Sequence, residues 1–268
     1  MEGKAMSYGM DDKVVVVTGA GSGIGLAIAR RFMEEGARVV GGDIDVAAFE
    51  ALSGRGGAIA VRADLRADGA AQMVDTAIKR FGSIDVLVCC AGVSSPREGV
   101  LKTTDADFLS TFDVNVMGIV RTCRAALPHM VERGKGSIIS IASDFGRMPS
   151  PYYCDYCVSK AAVLNFMKSV SIEFGPLGIR ANCVSPGATR TPMWDRPGGM
   201  IDVLCQMYGG MGREEAVEHF AKVDKKFALQ RIGRPEEIAE VVLFLASDKA
   251  SFVTGSDYWV NGGSMPVF

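Results

Sequence analysis

The chain has 268 residues, 48% of them apolar, so it can bury a large core, and its length is within the range of a single α/β domain. A formal net charge of −2 offers no basic field for nucleic acid or for an anionic membrane surface. Seven irregularly spaced cysteines, an odd number, argue against a disulfide framework and for a reducing, cytoplasmic setting, and no run of about 18 apolar residues offers a membrane span.

Residues 1–11 read as a flexible arm without the apolar run of a secretory signal, and 12–268 as one domain. Val14 to Val17 is a β-branched run typical of a strand buried on both faces. A glycine-rich turn follows, then a helix from about Ile24 to Glu35 closed by Gly36. Strands are expected at Arg38–Gly42, Ala58–Arg62, Val86–Cys90, Ser137–Ile141, Arg180–Val184 and near Tyr258–Val260. Helices are expected at Ala70–Phe81, at Asp105–Arg133 with a bend near Pro128, at Tyr156–Phe174 and at Pro235–Ala246. This alternation predicts an α/β, Rossmann-like, doubly wound parallel sheet of about seven strands with helices on both faces. Residues 191–231 interrupt it with glycine pairs and with Met193, Trp194, Met200 and Met207, and read as a substrate-binding lid, or else as an ordinary surface excursion. Arg213 to Ala228 within it has a helical, mostly polar pattern.

Thr18-Gly-Ala-Gly-Ser-Gly-Ile-Gly25 lies between the first strand and first helix. Gly19, Gly23 and Gly25 allow a tight turn that brings backbone amides to a pyrophosphate at a helix N-terminus. Asp43, 18 residues after Gly25, stands where an acid can accept bonds from adenosine ribose hydroxyls and repel a 2′-phosphate, which favours NAD over NADP. Its alternative is a loop cap. Asp64, at the end of the third strand, is placed either to meet the adenine edge or to cap a helix.

Tyr156 and Lys160 share a helix face, and an ammonium near a phenol favours the phenolate. Ser143 follows the fifth strand, at the sheet edge where open α/β folds bind ligands. Alone, the first pair suits an ordinary surface and the serine an ordinary turn.

Together these residues resemble the single-domain short-chain dehydrogenase/reductase family over about Asp12 to Gly263. The glycine motif, Asp64, Ala91-Gly92, Asn115 in Asn-Val-Met-Gly, Ser143 thirteen residues before Tyr156, Lys160 and Pro186-Gly187 occur in family order. The resemblance implies that Tyr156 is the general acid/base and that Lys160 binds the nicotinamide ribose and lowers the tyrosine pKa. It implies that Ser143 orients the reacting oxygen and that Asn115 kinks its helix and supports a water in a proton relay. Thr191 would bind the carboxamide, Thr189 would lie along the nicotinamide and Val116 near the cofactor. Ser22, Ile24, Ile44, Leu65, Cys90, Ala91, Gly92, Pro186 and Gly187 would complete the cofactor contacts. Two departures are Cys89-Cys90 for the family's Asn-Asn and Asn261 for the aspartate of a terminal Asp-Gly-Gly.

The reading is therefore an NAD-dependent oxidoreductase moving a hydride between nicotinamide and a secondary alcohol or ketone carbon. Alternatives are an NADPH-dependent carbonyl reductase and a non-catalytic nucleotide-binding protein on the same fold. Ser94, Ser143, Phe145, Tyr153, Met193 and Trp194 are the expected substrate contacts, with Asp144 among the further lining residues. Arg97, Arg147, Arg190 and Arg196 are available to an acidic substrate. Cys154-x-x-Cys157 resembles a redox or zinc motif but has no second pair at finger spacing, so packing is expected and no metal site. His129 and His219 lack the neighbours of a triad or metal site. Helices near 105–133 and 153–175 would pair across a two-fold axis in a homotetramer or homodimer, again by resemblance.

Overall fold

Four successive valines can all be buried only if both faces of their strand are covered, and they are. In the computed structural model, which describes residues 7–53 and 57–264, Val14 and Val16 join one apolar cluster and Val15 and Val17 another. These are the cores on the two sides of one sheet. The strands are β1 (Val14–Thr18), β2 (Arg38–Asp43), β3 (Ala58–Arg62), β4 (Val86–Cys89), β5 (Gly136–Ile141), β6 (Ile179–Pro186) and β7 (Asp257–Val260). All seven run parallel, in the order β3-β2-β1-β4-β5-β6-β7. The order reverses between β1 and β4, which opens a crevice beyond their carboxyl ends.

The helices in chain order are α1 (Gly23–Glu34), α2 (Ala47–Ser53), α3 (Gly69–Phe81), α4 (Asp105–Phe112), α5 (Gly118–Arg133), α6 (Cys154–Phe174), α7 (Pro192–Asp195), α8 (Met200–Met207), α9 (Arg213–His219) and α10 (Pro235–Ala246). Ile28 and Phe32 of α1 meet Ile238 and Val242 of α10 on one face. Met73 of α3, Cys123 and Met130 of α5, and Val163 and Met167 of α6 fill the other. Trp194 and Phe220 join Ile201, Val217, Phe227 and Ile232 in a third, smaller cluster within residues 191–232. Among the described residues no helix is long and apolar enough to cross a membrane.

Three elements differ from expectation. The helix expected over 105–133 is two helices joined by a π turn at Asp113–Met117, while Pro128 sits inside α5. A π turn adds a residue to the helical circuit and rotates one side chain off the regular face; here that residue is the buried Asn115. The helix expected over Arg213–Ala228 stops at His219 and continues as a π turn, Phe220–Asp224. Of the arm expected over 1–11, residues 1–6 lie outside the described residues. Tyr8 donates its N–H to Glu35 at 3.3 Å, and Met10 is buried in the α1 side of the core.

Candidate active site

Thr18 ends β1, and its hydroxyl accepts the N–H groups of Cys90 and Ala91 at 3.0 and 3.2 Å, pinning the end of β4 to the end of β1. The two strands diverge from this tie. Gly19 adopts a φ of +72°, where a side chain is strained, and a Cβ there would lie 2.7 Å from the Ala91 nitrogen. A Cβ on Gly25 would collide with the Gly19 carbonyl oxygen. The loop is thus packed backbone to backbone and opens at the N-terminus of α1. Ser22 caps that helix without a side-chain hydrogen bond, and the first turn carries no acid. Free N–H groups and the positive helix end remain to meet an anion, so the cradle fits the pyrophosphate of a dinucleotide.

Asp43 leans over this loop, accepting the N–H of Gly21 at 3.0 Å and of Asp45 at 3.2 Å. A carboxylate offers about four acceptor sites, so it retains capacity for ribose hydroxyls. Ile44 beside it is exposed. Asp64 meets Arg66 at 2.8 Å, and this contact holds its carboxyl down at about 2. The cap position of α3 belongs to Asp68. Leu65 is buried, and its carbonyl accepts from Arg121 at 2.9 Å. Across the crevice Thr191 starts α7 with its hydroxyl uncommitted to a cap, and its methyl would lie 3.3 Å from a Cβ on Gly23. Thr189 is buried and donates to Gly187 O at 3.0 Å.

The expected catalytic residues converge at the carboxyl edge between β4 and β5. Asn115, wholly buried in its π turn, accepts the Val93 N–H at 2.8 Å and donates to Val93 O at 2.9 Å and Ser159 Oγ at 3.0 Å. Ser159 in turn donates to Tyr156 O at 2.7 Å. Gly92 leaves the space between Asn115 and Lys160 open, since a Cβ there would lie 3.3 Å from Asn115 Oδ1 and 3.6 Å from Lys160 Nζ. Lys160 is buried; its ammonium donates to Ile141 O at 2.8 Å and lies 5.5 Å from the Tyr156 ring centroid. Burial pulls its pKa down to about 8, with Cys90 and Cys183 acting weakly the other way. Burial likewise pushes the Tyr156 phenol above its ordinary value, and the Ser143 hydroxyl pulls it back. The expected lowering of the tyrosine by Lys160 is therefore not the dominant effect here: desolvation acts on both groups against their charged forms.

A family model described as Enoyl-(Acyl carrier protein) reductase matches residues 19–265. The chain belongs to the short-chain dehydrogenase/reductase family. It is 35% identical to cis-4-hydroxycyclohexanecarboxylate dehydrogenase of Sinomonas cyclohexanicum, over 98% of this chain and 100% of that one. It superposes with a TM-score of 0.89 and 34% identity on L-sorbose reductase from Gluconobacter frateurii complexed with NADPH and L-sorbose, covering 98% and 100% of the two chains. Aldohexose dehydrogenase of Thermoplasma acidophilum aligns at a TM-score of 0.84 and 31% identity, covering 98% and 99%. The protein is accordingly a hydride-transfer oxidoreductase using a nicotinamide cofactor.

Around the tyrosine of this short-chain dehydrogenase/reductase, Phe145 packs 5.7 Å from Tyr153 and 6.4 Å from Tyr156, centroid to centroid. Ser94 is half-buried in the loop after β4, and Met193 is 44% exposed. Trp194 stands edge-on to Phe220 at 5.7 Å and is partly buried against the third cluster. Three of the four arginines considered for an acidic substrate are neutralised. Arg97 pairs with buried Asp155 at 2.7 Å and Asp107 at 3.0 Å, and Arg147 with Asp257 at 3.0 Å. Arg190 joins Asp195 at 2.9 Å to Glu214 at 2.7 Å, tying α7 to α9. Cys154 and Cys157 are separate free thiols, one beside Thr103 Oγ1 at 3.1 Å and the other accepting Ser150 N–H at 3.3 Å. Among the described residues no cluster of three metal-ligating side chains occurs.

Several residues that position the site were not singled out by sequence reasoning. Thr18 carried a signal, as the head of the glycine motif. Ser159 and Asp155 carried none, because their partners Asn115 and Arg97 are 44 and 58 residues away.

Proposed function

We propose that this protein oxidises a secondary alcohol to the ketone, or runs the reverse, with NAD and with Tyr156 as general acid/base. The observation that carries the reading is the convergence of Ser143, Tyr156, Lys160 and Asn115 beside the cradle formed by Gly19, Gly23 and Gly25. NAD, when bound, supplies the hydride acceptor. Gly19 to Gly25 would hold its pyrophosphate, Asp43 its adenosine ribose, and Lys160 its nicotinamide ribose. Ser143 holds the reacting oxygen, and Tyr156 takes the hydroxyl proton in oxidation and returns it in reduction; such transfer is typically worth ~10²–10⁴-fold. Asn115, through Val93 and Ser159, keeps the loop after β4 and the tyrosine helix in register. Val116, Thr189 and Thr191 complete the cofactor wall.

Asp43 supports NAD over NADP, since its charge and the lack of Lys or Arg in 18–25 and 43–46 disfavour a 2′-phosphate. The relative crystallised with NADPH keeps the second reading, an NADPH-dependent reductase, in view. Rates with the two cofactors separate them. The internally paired arginines favour a neutral, hydroxylated substrate held between the loop after β4 and a lid at 191–231. A panel of cis-4-hydroxycyclohexanecarboxylate, aldohexoses, L-sorbose and simple secondary alcohols, followed by NADH absorbance, should return at least one substrate. Tyr156→Phe should then lose turnover and keep NAD binding; full activity in that variant would refute the mechanism.

We also take 12–268 as one domain acting in the cytoplasm. Leu109 of α4 and Val158 and Ile172 of α6 are 71%, 51% and 68% exposed, which supports a homotetramer or homodimer burying them. Light scattering tests the assembly.

A further inference from the structure

The chain that leaves β4 has no regular structure from Cys90 to Arg97, so its shape is set by what holds its ends. It starts beside the catalytic groups, since a Cβ on Gly92 would meet both Asn115 and Lys160. One footing is Val93, whose N–H and carbonyl both bond Asn115. The other is Arg97, whose N–H donates to Tyr152 O at 2.8 Å. Ser94, Ser95 and Pro96 form a bridge between them. The two footings flank the catalytic tyrosine. Asn115 reaches Tyr156 O through Ser159, and Tyr152 lies in the short turn Pro151–Tyr153 that leads into α6.

The Arg97 side chain fastens the second footing. Its Nε and Nη2 both donate to Asp155 Oδ2, at 3.2 and 2.7 Å, and its Nη1 meets Asp107 Oδ1 at 3.0 Å. Asp155 is 1% exposed and also accepts the Thr111 hydroxyl at 2.8 Å. One buried carboxylate thus joins the bridge to α6, directly before Tyr156, and to α4, just ahead of the π turn that carries Asn115. Burial acts against its ionisation, but the Arg97 guanidinium and the Thr111 hydroxyl hold the carboxyl below its ordinary range, so the ion pair persists at neutral pH. Apolar side chains of similar volume often stabilise a fold as well as a buried ion pair does. What the pair supplies is a fixed distance and direction.

We propose that Arg97 and Asp155 are positioning residues that set the height of the 93–97 bridge over Tyr156 and so limit the bulk of the alcohol or ketone admitted. The inference rests on the dehydrogenase reading above and deepens it by naming what selects the substrate. A compact secondary alcohol fits beneath the bridge as it stands. One with a larger group on its carbinol carbon must lift the bridge, and lifting it stretches the Arg97–Asp155 contact. Wild type therefore discriminates by the strength of that contact. An amide at 155 keeps an acceptor for Arg97 and Thr111 but removes the charge, which about halves a charge-assisted bond.

The test compares wild type, Asp155→Asn and Arg97→Lys on a homologous series of secondary alcohols built up from the panel's best substrate, with each unfolding midpoint measured first. In Asp155→Asn the KM of the bulkiest member relative to the most compact should fall by about fivefold, with the shift in KM rather than in kcat. Arg97→Lys still neutralises Asp155, but its ammonium lacks the fork that spans Asp155 and Asp107. It should move the ratio in the same direction, and it decides the matter if Asp155→Asn does not fold. A purely structural role would depress all members in parallel with stability; an unchanged ratio in a folded variant overturns the proposal. Amide hydrogen exchange on the protein without alcohol gives a second reading that needs no turnover. The Arg97 N–H should exchange about fivefold faster in Asp155→Asn while the amides of β1 and β4 keep their wild-type rates. Equal rates at Arg97 also overturn the proposal. Failure of the dehydrogenase reading shows separately, as full activity in Tyr156→Phe.

Discussion

Asn115→Ala is the most informative single perturbation, because one side chain links two elements. Its amide makes the three bonds to Val93 N–H, Val93 O and Ser159 Oγ, of 2.8, 2.9 and 3.0 Å. Alanine removes all of them and leaves a hole at a fully buried position. Val93 is 44% exposed, so its two backbone groups can rehydrate, and each lost bond costs near the net value of about 1 kcal/mol. Ser159 retains its own bond to Tyr156 O but loses a buried donor. The expected destabilisation is about 2–3 kcal/mol, or roughly 4–12 °C in Tm for a chain of this size. Urea unfolding monitored by tryptophan fluorescence measures it, with an unchanged m-value confirming that the native fold is retained. Asn115→Asp is the control: it preserves an acceptor for Val93 N–H but turns a carboxylate towards Val93 O, so it should cost at least as much. Activity should fall in both variants. A loss below about 1 kcal/mol in Asn115→Ala would refute the claim that the π turn exists to place this amide.

Other consequences follow from the same geometry. Asp43→Ser should raise the NADP to NAD ratio of kcat/KM by about tenfold or more by removing a charge near the 2′ position; an unchanged ratio would remove Asp43 from cofactor choice. Arg190→Ala breaks the tie between α7 and α9, but at 36% side-chain exposure it should cost less than about 1 kcal/mol globally while speeding proteolytic nicking within 191–231. Equal nicking rates would show that the pair does not hold the lid. Lys160 has its pKa lowered to about 8 by burial, from an ordinary 10.5, so the folded state binds fewer protons than the unfolded state between these values. Stability should rise with pH over that window, and Lys160→Met should remove that part of the slope; an identical slope would mean the ammonium is not desolvated.

The sequence determined the sheet and the outline of the site by itself. The doubly buried Val14–Val17 run admits only a covered central strand, and Gly19, Gly23 and Gly25 between that strand and a helix make a tight turn suited to a phosphate. Both signals are local, set by neighbouring residues and the period of the chain. Tyr156 and Lys160, four residues apart on one helix, share a face by the same local rule, but only in company with Ser143 and Asn115 does the pair point to chemistry. Tertiary structure alone decided what surrounds them. The break in the helix over 105–133 falls at Asn115 rather than at Pro128, because Val93 and Ser159 supply the bonds that make a π turn worthwhile. Arg97, Arg147 and Arg190 read as cations open to a substrate until folding brought Asp155, Asp257 and Glu214 to them. Asp144 likewise meets a partner from far along the chain, accepting the Ser264 hydroxyl at 3.1 Å. Partnership between residues so distant leaves no periodicity to read, since it depends on where the strands end in space and not on the spacing between the residues.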